Sequence, residues 1–107
     1  MMMRKRPQPP QPDRIRSIHR SYSWLDHRFF RQGFCYGLTR IEKLLYLVLA
    51  AVSNREGVSR YSDERMADFL DIHHLRELTS ARDELVARNL IAFKNGIYQV
   101  LELPSHT

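Results

Sequence analysis

The sequence predicts a mainly α-helical domain with a small β-hairpin: a three-helix core, a sheet of two to three strands, and an extra helix ahead of them. Three observations carry this. "TRIE" at 39–42 opens an apolar stripe at helical spacing, "NG" at 95–96 separates two alternating runs, and two more helical patterns lie between them. At 107 residues the chain is one domain plus some excess, long enough for a single modest core.

Residues 1–22 read as a basic, proline-rich arm. Pro7, Pro9, Pro10 and Pro12 lie among Arg4, Lys5, Arg6, Arg14, Arg16 and Arg20, with little apolar surface to bury. Such a segment is expected to be extended or disordered in isolation. Residues 23–37 follow as an accessory aromatic helix and linker, with the helix inside "SYSWLDHRFFRQGF". Ser23 is the expected N-cap, with Asp26 three residues later as a partial capping box. Gly33 suits a left-handed position after the helix, from which Phe34 folds back on Phe29.

The domain proper spans 38–103. Thr39 and Glu42 predict a full capping box. Ile41, Leu44, Leu45, Val48, Leu49 and Val52 then form the inner face, widened by Leu47, and "SNREG" ends the helix. "VSRY" at 58–61 is a short β-prone run. Ser62 caps "DERMADFL", whose Asp63 and Glu64 complement the positive helix end. Asp71-Ile72 breaks that pattern. A further helix runs from about His74 to Arg88, with Leu75, Leu78, Ala81, Leu85 and Val86 inward and Asn89 as a left-handed terminator. In the hairpin, Asn95-Gly96 supplies a type I′ turn and pairs Phe93 with Tyr98 and Ile91 with Val100 on one face. Ala92, Lys94, Ile97 and Gln99 take the other. Residues 104–107 are a tail.

Charge is unevenly distributed. Residues 1–40 hold nine Lys or Arg against two Asp or Glu, whereas residues 41–107 hold eight against ten. The basicity belongs to the arm, and the globular part is slightly acidic. One cysteine, Cys35, rules out an internal disulfide and fits a reducing compartment. No signal peptide is expected, because the N-terminal charges lead into prolines and glutamines instead of an apolar run. The longest apolar run, Leu44 to Val52, is too short to span a bilayer. The expectation is a cytoplasmic protein.

The order helix, short strand, helix, turn, helix, hairpin resembles that of winged helix-turn-helix domains, as in bacterial transcriptional regulators and the DNA-binding domains of replication initiators. "MADFLDI" is similar to the second helix and turn of that pattern, with Ala67 at a close helix approach, Leu70 buried and Ile72 plugging the turn. "ARDELVARNLI" resembles the end of a recognition helix leading into a wing strand, and "NGIYQV" the wing turn and returning strand. Asp71 and Asn89 stand where the pattern commonly has Gly. The resemblance covers Leu38 to Leu103.

The resemblance implies that the helix beginning near His74 enters the major groove of double-stranded DNA. Arg76 is then the candidate guanine reader, with Thr79 or Ser80 at phosphate or base, His74 as a turn residue or phosphate donor, and Lys94 and Asn95 at the backbone. Glu77 and Asp83 share that outward face, so it is mixed, not strongly cationic. Arg4, Lys5, Arg6, Arg14 and Arg16 of the arm add electrostatic affinity. Trp24, Phe29, Phe30 and Phe34 are too many aromatics for a free helix and are expected to pack on the domain or, as the favoured assignment, to make a homodimer seam.

No metal site and no cofactor are expected, since His73-His74 lacks the spacing of zinc ligands. No Gly-rich phosphate loop or framed nucleophile points to an enzyme. The expectation is a DNA-binding regulator or a replication or mobile-element accessory factor. The alternative is a protein-interaction winged helix within a larger complex, and RNA binding through the arm is a third reading.

Overall fold

The computed structural model describes residues 7–17 and 25–104. Residues 7–17 are exposed throughout and hold one 3₁₀ turn, Pro12–Arg14. The remainder folds as α1 (Arg28–Arg31), α2 (Arg40–Val52), β1 (Val58–Arg60), α3 (Asp63–Leu70), α4 (Leu75–Ala87), β2 (Ile91–Lys94) and β3 (Ile97–Val100). The three strands make one antiparallel sheet in the order β1-β3-β2. Four helices with this sheet are compatible with a winged-helix-like layout.

Local chemistry accounts for most boundaries. Thr39 Oγ1 accepts from the Glu42 N–H at 3.2 Å while Glu42 Oε1 accepts from the Thr39 N–H at 2.8 Å, which closes the capping box of α2. Ser62 Oγ accepts from the Arg65 N–H at 3.1 Å and starts α3. Asp71 (φ 54°) and Asn89 (φ 59°) take the left-handed conformation that ends α3 and α4. The Ile72 N–H then reaches Ala67 O, and the Leu90 N–H reaches Leu85 O.

The first helix is shorter than its sequence pattern predicts. Ser23 and Trp24 lie outside the described residues. Asp26 Oδ1 accepts from the Arg28 backbone N–H at 2.9 Å, and the carboxylate also holds the Arg28 guanidinium at 2.6 Å, so the chain is tied into a turn and helix begins only at Arg28. Those hydrogen bonds hold the Asp26 carboxyl below its ordinary range. Gly33 (φ 79°) closes the segment as expected, and the Cys35 N–H bonds Phe29 O.

The core corrects the predicted inner faces. On α2 the buried residues are Leu45, Tyr46, Leu49 and Ala50, while Leu44 is 48% exposed. Every residue from Leu44 to Val52 is apolar or aromatic, so spacing alone leaves the facing undetermined. Packing of α2 on α3, α4 and β3 selects it, and Tyr46 also stacks on Phe29, ring centroids 4.1 Å apart and planes 7° from parallel. On α4, Leu78, Ala81 and Leu85 are buried as predicted, but Leu75 and Val86 are exposed. Leu75, Arg82 and Val86 share one flank of that helix, beside the buried stripe.

Candidate nucleic-acid interface

Helix α4 is presented by the turn that precedes it. Ala67 is buried, Ile72 is half-buried against the core, and His74 enters α4 in extended backbone. No described side chain caps this helix, so N–H groups of its first turn are left for an incoming acceptor. His74 itself is exposed.

Along α4 the outward side carries Arg76, Glu77, Ser80 and Asp83, all exposed. Arg76 and Ser80 border a shallow depression completed by Thr39, Arg40 and Glu42 at the start of α2. Thr79 departs from the expected free hydroxyl: it is half-buried, and its Oγ1–H donates to Arg76 O at 3.1 Å. Its oxygen still accepts, but its proton is engaged within the helix. The surface is therefore mixed in charge.

The ribbon has the predicted register, Ile91 opposite Val100 and Phe93 opposite Tyr98. Asn95 (φ 52°) and Gly96 (φ 80°) make its turn. Lys94 and Asn95 stand exposed at the tip, and the Tyr61 N–H reaches Gly96 O at 3.4 Å, so β1's exit steadies that end. The inner face sets Phe93 and Tyr98 with centroids 4.7 Å apart.

Between this ribbon and the helices lies a group that helical periodicity does not reveal. Arg82 Nη1 donates to Asp63 Oδ1 at 2.8 Å and to Tyr98 Oη at 3.0 Å, while its Cζ stands 4.0 Å above the Phe93 ring. Burial opposes the guanidinium charge, but the bonds to Asp63 and Tyr98 outweigh it and hold Arg82 above its ordinary range. The sequence carries one weak signal: Arg82 shares a helix flank with Leu75 and Val86, and a charge on an apolar flank needs a partner.

Of the arm residues, Arg14 and Arg16 are exposed, whereas Arg4, Lys5 and Arg6 lie outside the described residues. The aromatics assigned to a dimer seam divide differently. Phe29 is fully buried in the protein's own core and Phe34 packs against that core, which among the described residues leaves Phe30, 46% exposed and edge-on to Phe29; Trp24 lies outside them. Phe29 and Cys35, with Leu25 and Phe34 packed against them, thus share one core with α2.

A cleft of about 420 Å³ opens where the end of α2 meets the C-terminal segment, lined in part by Asp26, Tyr46, Glu56 and Glu102. Asp26 is committed to Arg28, and burial pushes the Tyr46 phenol up. Among the described residues no three His, Cys, Asp or Glu side chains converge as metal ligands. Nor, among them, is any helix long and apolar enough to cross a membrane.

Comparison with protein-family models, with curated proteins and with solved structures finds no match.

Proposed function

We propose that this chain is a non-enzymatic, double-stranded DNA-binding protein of winged-helix type, acting as a transcriptional regulator or a replication or mobile-element accessory factor. One observation supports this above the others. Helix α4, uncapped at its start and exposing Arg76 and Ser80, is bound along its flank to a ribbon whose exposed tip carries Lys94 and Asn95. A helix with a ribbon beside it can enter a major groove while the ribbon tip reaches the adjoining backbone. Arg76 is the reader in this account, Ser80 contacts phosphate or base, His74 donates to phosphate, and Thr79 can only accept. The arm, with Arg14 and Arg16 exposed, supplies affinity without sequence preference.

A salt titration of duplex binding tests the proposal. Every phosphate that the arm neutralises adds about 0.9 unit to the log–log slope, so a chain without residues 1–20 should show a flatter dependence. Arg76→Ala should erode the preference between sequences by about 1–3 kcal/mol. Equal slopes for the full and shortened chains would remove the arm from the account. No binding to any duplex at low salt would remove the DNA reading itself.

The second reading is a protein-interaction module within a larger complex. The exposure of Leu75 and Val86 on α4, together with Glu77 and Asp83, favours it. A homodimer seam on Phe29 and Phe34 is not proposed, because both side chains face inward.

A further inference from the structure

Arg82 ties three elements to its own helix. It leaves α4, bonds Asp63 at the start of α3, bonds Tyr98 on β3 and lies over Phe93 on β2. Its side chain is only 11% exposed. The ring of Tyr98 is fully buried beneath it and that of Phe93 half-buried. Apolar contact between a two-stranded ribbon and a helix is non-directional and tolerates tilting. Two hydrogen bonds from one nitrogen, with the guanidinium carbon held 4.0 Å over the Phe93 ring, are directional. They admit one angle between ribbon and helix.

We propose that Arg82 is a positioning residue that fixes the angle of the β2–β3 ribbon against α4 and so places Lys94 and Asn95 at the DNA backbone. The placement at DNA rests on the function proposed above; the fixing of the ribbon does not. Lysine is the informative replacement, because it keeps the charge but lacks both the planar face and the fixed direction of the two Nη1 N–H donors.

Amide exchange on the full chain tests the clamp. In Arg82→Lys the ribbon amides are expected to exchange about tenfold faster while those of α2 hold their rates, the mark of a local opening. Equal acceleration of both, or of neither, overturns the proposal. Tyr98→Phe keeps the ring and removes one acceptor, with about threefold acceleration confined to the ribbon expected. That variant decides the matter should Arg82→Lys fail to fold.

Duplex affinity supplies the second readout. Lys94→Ala is expected to weaken binding severalfold in the native background and less than about twofold beside Arg82→Lys, since a ribbon already loose gains little from its lysine. The same factor in both backgrounds shows that Arg82 does not act through the tip. A native chain that binds no duplex refutes the DNA reading, while the exchange rates still judge the clamp.

Discussion

Where α1 meets α2, Phe29 lies flat on Tyr46 and both are fully buried. Where α3 and α4 meet the ribbon, the corresponding joint is a guanidinium set between a carboxylate, a phenol and a ring. The first joint draws on area removed from water and holds its elements together without dictating a precise angle. The second also buries apolar surface, through Ile91 and Tyr98, but its polar contacts dictate geometry and break when a single donor is moved. The ribbon, which bears the candidate backbone contacts, hangs on the joint of the second kind.

Phe29→Ala should give the largest loss. Truncating a fully buried phenylalanine destabilises by about 3–5 kcal/mol, a large share of the roughly 5–15 kcal/mol that holds a domain of this size. Urea unfolding followed by circular dichroism measures it, and the loss should be nearly the same at low and high salt. A change below about 1 kcal/mol, or one that follows ionic strength, erases the contrast between the two joints.

Gly57→Ala should come next, on the ribbon side. Gly57 has φ 81°, and a Cβ there would stand 2.5 Å from Val100 O in β3. The Gly57 carbonyl accepts from the Val100 N–H at 2.8 Å, so the close approach is itself part of the β1–β3 junction. The left-handed backbone alone accounts for about 1–2 kcal/mol, and the clash adds to it. The same unfolding curve reads the total. A neutral result means that β1 can part from β3 without loss, and the ribbon is then not braced from that side.

The two joints also differ in how far the sequence displays them. Capping residues of α2 and α3, left-handed terminators and the Asn95-Gly96 turn are local signals that depend on immediate neighbours, and these lie where their patterns predict. Helix α1, by contrast, starts after His27 with no side-chain cap, and the expected cap, Ser23, lies outside the described residues. Inner faces are less local. The unbroken apolar run of α2 offers several stripes of similar quality, and the packing of α2 on α3, α4 and β3, with Phe29 stacked on Tyr46, selects the one that is buried. The aromatic density near Phe29 points to docking of some kind, but not to docking on its own domain. Arg82 is harder still, because its partners lie 19 and 16 residues away and no short window contains all three. Of the candidate site, the exposure of Arg76, Ser80, Lys94 and Asn95 follows from helix and hairpin periodicity; the engaged hydroxyl of Thr79 does not.

Ser59→Ala should have the smallest effect and separates the joints most finely. Ser59 faces inward on β1, directly across from Tyr98, and its Oγ is buried without a hydrogen-bond partner among the described residues. It lies one strand away from a hydroxyl that Arg82 does satisfy. Desolvating an unpaired hydroxyl is unfavourable, so its removal should leave stability unchanged or raise it by up to about 1 kcal/mol. Thermal unfolding resolves a shift of that size. A loss of more than about 1 kcal/mol instead implies that Ser59 finds an acceptor as the strands breathe. The polar contacts beneath the ribbon then extend beyond Arg82, and the angle of the ribbon is shared between two residues instead of set by one.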